Sequence, residues 1–262
     1  MQPICLITGA SAGIGTALAR VFALRGHALV LTARREAQLA ALADAIAAAG
    51  HKRPLVIPAD LGAPDGPARL AEALERQGLE PDIVVNNAGF GLLGEAAELD
   101  RAQQLAIIDL NVRALTDLSL RWLDSITRHR GGILNVASIA SFLPGPGMAV
   151  YHATKAYVLS FSEALHQELK SDGVRVCALC PGPVPTEFNA RAGVPRDYFP
   201  GFLARSASRV AREGYEGLMG GHRVVVPGSE NRVFTLLPRL LPRALINAAM
   251  AFRWNLAHRH KR

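Results

Sequence analysis

The 262-residue sequence predicts an α/β fold: a single doubly wound parallel sheet with helices on both faces and a C-terminal helical extension. Two observations carry this expectation. Continuous apolar runs of strand length alternate with segments of helical period from the first residues onward, the pattern of parallel strands covered on both faces. No Pro/Gly/Ser-rich linker of any length divides the chain, so one sheet takes every strand. Half of the residues are apolar and 19% are charged, the composition of a compact globular chain.

The apolar run at residues 4–8 is the first strand, and the helical spacing that follows ends at Gly26, a suitable residue just past a helix C-terminus. The run at 28–33 is the second strand. Leu39, Leu42, Ala43 and Ile46 then stand at i, i+3, i+4 and i+7, which gives one apolar helix face that stops at Gly50. Further strands fall at 54–60, 82–89, 132–138, 174–182 and 222–228. Between them lie helical segments at 69–77, 100–129, 151–171 and 207–219.

Several function classes drop out. The longest stretch without a charge, residues 131–154, is interrupted by Asn135, Pro144, Gly145, Pro146 and Gly147, so it does not read as a membrane-spanning helix. The first basic residue is Arg20, behind a strand-like run, which is not the layout of a secretory signal; a cytoplasmic protein is expected. Of the three cysteines, Cys177 and Cys180 form a C-x-x-C, but within a strand their side chains point to opposite faces, so they are expected in the core and no metal site is expected. The net charge of +7 is localised. Residues 231–262 hold seven basic residues and no acid, whereas residues 1–230 are balanced, so the basicity gives no reason to expect a nucleic-acid partner.

The turn after the first strand reads Thr8-Gly9-Ala10-Ser11-Ala12-Gly13-Ile14-Gly15 and runs straight into a helix. Glycines there let a backbone approach a dinucleotide pyrophosphate, and free N–H groups at the helix start favour its charge. The spacing is G-x-x-x-G-x-G, and the same turn also serves as a tight strand-to-helix connection. At the end of the second strand, where an acid would accept hydrogen bonds from a ribose 2′-hydroxyl, the chain has Ala33, Arg34 and Arg35. Guanidinium groups suit a 2′-phosphate, so NADP(H) is expected over NAD(H). Tyr151 and Lys155 are four residues apart on one helix face, where the ammonium is expected to lower the phenol pKa toward working pH and make Tyr151 a general acid/base.

With these residues the sequence resembles the short-chain dehydrogenase/reductase family, across roughly residues 3–228. TGASAGIG is similar to its cofactor turn, which points to Gly9, Ser11, Gly13, Ile14 and Gly15; Asn87, Ala88 and Gly89 stand in its NNAG segment; Tyr151 and Lys155 are its Y-x-x-x-K. Ser138 and Asn111 resemble the remaining members of the catalytic tetrad, with Ser138 implied to bond the substrate oxygen and Asn111 to hold a water of a proton relay through Lys155. Asp60 and Leu61 resemble the adenine contact, and Pro181, Gly182 and Thr186 the loop that closes over the nicotinamide. The resemblance implies a Rossmann-type domain over residues 1–230, a homodimer or homotetramer, and hydride transfer between a carbonyl and an alcohol. The other readings on this fold are a non-catalytic NADP(H) sensor or scaffold, which would typically have lost Tyr or Lys, and an epimerase or dehydratase, which usually carries a larger C-terminal region.

Phe188, Tyr198, Phe199 and Phe202 lie where the family places its substrate lid, and an apolar ketone, aldehyde or alcohol is expected; the same aromatics also suit lid packing or a subunit contact. Residues 231–262 form a basic extension. Pro242 is placed to open a helix in which Leu241, Leu245, Ala248, Phe252 and Leu256 share a face, with Arg243, Asn247 and Arg253 flanking it and Trp254 near its polar end. That face suits either peripheral contact with an anionic membrane or packing on the body or a second subunit.

Overall fold

The computed structural model describes residues 1–195 and 198–258; the terminal basic run at 259–262 lies outside the described residues. The chain opens with β1 (Gln2–Thr8), α1 (Gly13–Leu24), β2 (Leu29–Thr32), α2 (Glu36–Ala48), β3 (Leu55–Val56), α3 (Gly66–Arg76) and β4 (Leu79–Asn86). Next come α4 (Arg101–Ile108), a π-helical turn (Asp109–Ala114), α5 (Leu115–Arg121), α6 (Leu123–Arg128), β5 (Gly132–Val136), α7 (Ala149–Glu168) and β6 (Arg175–Leu179). Last are α8 (Glu187–Arg191), α9 (Ala207–Met219), β7 (Val224–Val225), α10 (Ser229–Leu240) and α11 (Arg243–His258).

The strands form one parallel seven-stranded sheet in the order β3-β2-β1-β4-β5-β6-β7. Alternation along β1 divides the core between its faces. Cys5 and Ile7 point toward Leu18 and Phe22 of α1, Leu39 of α2 and Leu218 of α9; Ile4 and Leu6 point toward Leu70 of α3, Leu118 of α5 and Leu165 of α7. Each of the seven apolar runs holds a strand, although the edge runs at 54–60 and 222–228 contract to the two-residue β3 and β7, and the central strands are covered on both sides, as expected of a doubly wound sheet. Cys177 and Cys180 are buried in different core clusters and unpaired, and burial pushes the Cys177 thiol up to about 12.

Two stretches differ from the sequence expectation. The single helix expected over 100–129 is interrupted by the π turn and by Trp122, whose φ of −115° and ψ of 23° end α5. Within the helical extension, α10 precedes the helix expected from Pro242 and tolerates Pro238 inside it. No described helix is long and apolar enough to cross a membrane.

The sheet order reverses between β1 and β4, whose carboxyl ends open the crevice where doubly wound sheets bind ligands. Thr8 holds those ends together. Its hydroxyl donates to the Val85 carbonyl at 3.2 Å and accepts from the backbone N–H groups of Asn87 and Ala88 at 2.9 and 3.0 Å.

Candidate active site

A cavity of about 550 Å³ lies over the carboxyl ends of the strands. Its cofactor half is floored by the turn after β1. Gly9 and Gly13 have φ of +64° and +58°, which other residues rarely adopt, and a Cβ on Gly9 would stand 2.8 Å from the Ala88 Cα. Ala12 gives α1 no side-chain cap and its first turn holds no acid, so the leading N–H groups are left for an anion. The residues present fit a dinucleotide: a cradle that side chains would fill, an uncapped helix start, and arginines with no acid at the end of β2.

Of the residues expected to bind cofactor, Gly9, Ser11, Gly13, Ile14, Arg34, Arg35, Asp60, Leu61, Asn87, Ala88 and Gly89 line this cavity, as do Pro181, Gly182 and Thr186. Gly15 does not; it is buried beneath the turn, where a Cβ would collide with the Gly9 carbonyl. The two arginines divide. Arg34 is exposed, with no ion pair among the described residues, whereas Arg35 donates to the Ser11 hydroxyl at 3.2 Å and pairs with Glu187 of α8 at 3.0 Å. Asn87 donates to the Thr8 and Gly9 carbonyls at 2.9 and 3.2 Å and so braces the turn. Thr186 caps α8, its hydroxyl accepting from the Phe188 N–H at 3.3 Å.

Ser138, Tyr151 and Lys155 line the same cavity. Ser138 leaves the end of β5, with its hydroxyl accepting from the Ala140 N–H at 3.1 Å; Tyr151 and Lys155 come from one face of α7. Lys155 Nζ donates to the Val136 carbonyl at 2.7 Å and lies 5.9 Å from the centre of the Tyr151 ring. Burial lowers the ammonium to about 8. The phenol departs from the sequence expectation. Burial pushes Tyr151 up to about 12, against the opposing hydrogen bond with Ser138.

Asn111 stands behind the cavity wall, fully buried in the π turn. Its amide clasps the Phe90 backbone in both directions, accepting from the N–H at 3.1 Å and donating to the carbonyl at 3.0 Å, and also reaches the Thr154 hydroxyl at 3.2 Å. In this arrangement it positions the loop that carries Gly89 rather than facing the cavity.

The tail supplies a wall that sequence reasoning missed. Phe234 of α10 and Met250, Arg253 and Trp254 of α11 line the cavity together with Tyr198 and Phe199. The expected stripe faces the other way: Leu241, Leu245 and Phe252 are 47%, 58% and 67% exposed, and the side chain of Leu256 is outside those described. A signal existed in the sequence. Ile246, Met250, Arg253 and Trp254 also share a helix face, and Trp254 packs over Gly147, whose φ is +78°.

The family profile described as short chain dehydrogenase matches residues 3–196. An uncharacterised oxidoreductase of Myxococcus xanthus is 35% identical over 247 residues, covering 93% of this chain and 94% of that protein. Sulfoacetaldehyde reductase 2 of Chromohalobacter salexigens is 38% identical over 197 residues, covering 72% of this chain and 75% of that protein. Among solved structures, a short-chain dehydrogenase from Sphingobium yanoikuyae in complex with NADPH superposes with a TM-score of 0.79 at 30% identity, covering 98% of this chain and 95% of that one.

Proposed function

The chain belongs to the short-chain dehydrogenase family, oxidoreductases that bind NAD(P)(H), and from that premise we propose that it reduces a largely apolar ketone or aldehyde with NADPH. The observation that carries this reading is the convergence of Ser138, Tyr151 and Lys155 on one cavity with the glycine turn and Arg34.

The nicotinamide, when bound, supplies the hydride. Tyr151 donates the proton from its hydroxyl to the carbonyl oxygen. At its raised pKa the phenol is protonated in the resting site, the form that carries the proton to be donated. Ser138, already bonded to Tyr151, holds the substrate oxygen in line with that hydroxyl. Lys155 contributes a buried cation near the phenol and would hold the cofactor ribose, while Asn111 positions the Phe90 loop. The tetrad is therefore read as Asn111, Ser138, Tyr151 and Lys155. Arg34 reads the 2′-phosphate, since its guanidinium is exposed at the cavity and is not engaged elsewhere among the described residues.

Residues 1–230 are read as the catalytic domain and 231–262 as an extension that walls the substrate half. A homo-oligomer is supported by exposed Leu105, Ile108 and Leu120 on α4 and α5 and Tyr157 on α7. Peripheral membrane contact through the extension is supported by its outward stripe: Val233, Leu236, Leu237 and Leu240 of α10 are 48–80% exposed at i, i+3, i+4 and i+7. The test of the reaction is NADPH oxidation with a panel of aliphatic, aromatic and steroid-like carbonyls. Turnover by the wild type that Tyr151→Phe abolishes supports the reading; NADPH binding without turnover of any member favours the sensor alternative.

A further inference from the structure

We propose that Arg253 selects substrates that carry an anionic group, a carboxylate or sulfonate, on the apolar body that the cavity holds. The inference rests on the reading of this cavity as a substrate site and adds the substrate's second recognition element.

Arg253 is half-buried on the inner face of α11 and lines the cavity. Its guanidinium lies 5.3 Å from the centre of the Tyr198 ring and 5.7 Å from that of Phe199, two rings that meet edge to face at 4.9 Å. One Nη donates to the Tyr198 carbonyl at 3.2 Å. Among the described residues the group is thus held in place by two aromatic faces and one hydrogen bond, which leave most of its planar fork of donors for a ligand. A carboxylate or sulfonate matches that fork with two parallel hydrogen bonds.

Arg191 of the same cavity pairs with Glu187 at 2.6 Å, and Glu187 also pairs with Arg35. No carboxylate among the described residues pairs with Arg253. The surrounding wall is otherwise largely apolar: Phe234, Met250, Trp254, Phe188 and Leu203. A guanidinium half-buried in such a wall is poorly solvated, and an incoming anion relieves that cost. Its field reaches the catalytic end, where it is one of the influences that hold His152, the neighbour of Tyr151, below its ordinary pKa, behind burial and against bonds from Leu143 and Ala140. Among the described residues of this wall, Arg253 is a cation without a carboxylate partner.

A purely structural role is the rival: the guanidinium could clamp the lid residues Tyr198 and Phe199 onto α11 and recognise nothing. The two separate on matched substrates. A homologous series of medium-chain oxo acids and their methyl esters is assayed with NADPH on wild type, Arg253→Gln and Arg253→Lys. Wild type is expected to favour at least one acid over its ester by roughly tenfold or more in kcat/KM, Gln to bring that ratio down by roughly tenfold, and Lys to retain part of it. Isothermal titration of the same pairs into the protein with NADPH present reads the same preference as affinity, so it decides the matter even if no member turns over. Wild type that binds or reduces every ester as well as its acid overturns the proposal. So does an Arg253→Gln variant that weakens acid and ester together with the ratio unchanged, the signature of a lid clamp.

Discussion

Arg35 Nη1 lies 3.0 Å from Glu187 Oε2, an ion pair that joins the end of β2 to the first turn of α8 across the cofactor half of the cavity. A phosphate arriving at the arginines competes with that carboxylate. Glu187→Gln is therefore expected to tighten NADPH binding about three- to fivefold, the modest gain appropriate to a pair that is 29% and 54% exposed, and to leave NADH binding unchanged. Fluorescence titration of both cofactors checks this; weaker NADPH binding in the variant would show that the pair supports the site.

Arg34 has no such competitor among the described residues. Arg34→Ala is expected to cost about 1.5–3 kcal/mol in NADPH affinity, roughly tenfold to a hundredfold, and little for NADH. Equal losses for the two cofactors would assign Arg34 to the adenine site or the fold.

The pH profile follows from burial. Tyr151, pushed up to about 12, stays protonated throughout the working range, whereas Lys155, lowered to about 8, loses its charge as pH rises through 8. The kcat/KM for reduction is expected to be level below pH 8 and to fall above it, two units before an ordinary phenol ionises at about 10. A profile that is flat to pH 10 contradicts the lowered lysine.

Gly147 combines a φ of +78° with the Trp254 indole against its α-carbon, so a side chain there is strained and also displaces α11. Gly147→Ala is expected to destabilise the protein by about 1–2 kcal/mol and to speed proteolysis of the tail. Urea unfolding and limited trypsin digestion measure the two effects. Unchanged digestion would mean that α11 is held without Trp254.

For the outward stripe, the double variant Leu236→Gln/Leu240→Gln is expected to lose sedimentation with anionic phospholipid vesicles at low salt and to keep turnover of a water-soluble carbonyl. Both leucines lie away from the cavity wall. If the variant instead changes the oligomer mass seen by light scattering, the stripe is a subunit contact.

The sheet was legible because its strands are continuous apolar runs, and the cofactor turn because glycines are needed where the backbone turns with positive φ. The tail is legible only in part. Its most conspicuous stripe, Leu241, Leu245 and Phe252, suits a membrane surface or a packing face and lies exposed, whereas the less conspicuous face of Met250, Arg253 and Trp254, interrupted by a charge, lines the cavity. Arg253 finds its aromatic partners about fifty residues away, a pairing that local spacing does not encode. Tyr151 and Lys155 lie on one face as their spacing requires, yet spacing carries no information on burial, and burial decides both pKa values.

The wall that α10 and α11 add follows every strand in the order of the chain. During synthesis from the N-terminus, the glycine turn, both arginines and all seven strands emerge before Met250 or Arg253 exists. Recognition of cofactor and recognition of substrate thus have different birth times: a growing chain holds every residue of the nucleotide half while its substrate half still stands open. A chain cut short before α11 would have Tyr198 and Phe199 deprived of the guanidinium that lies against them and the cavity open on that side.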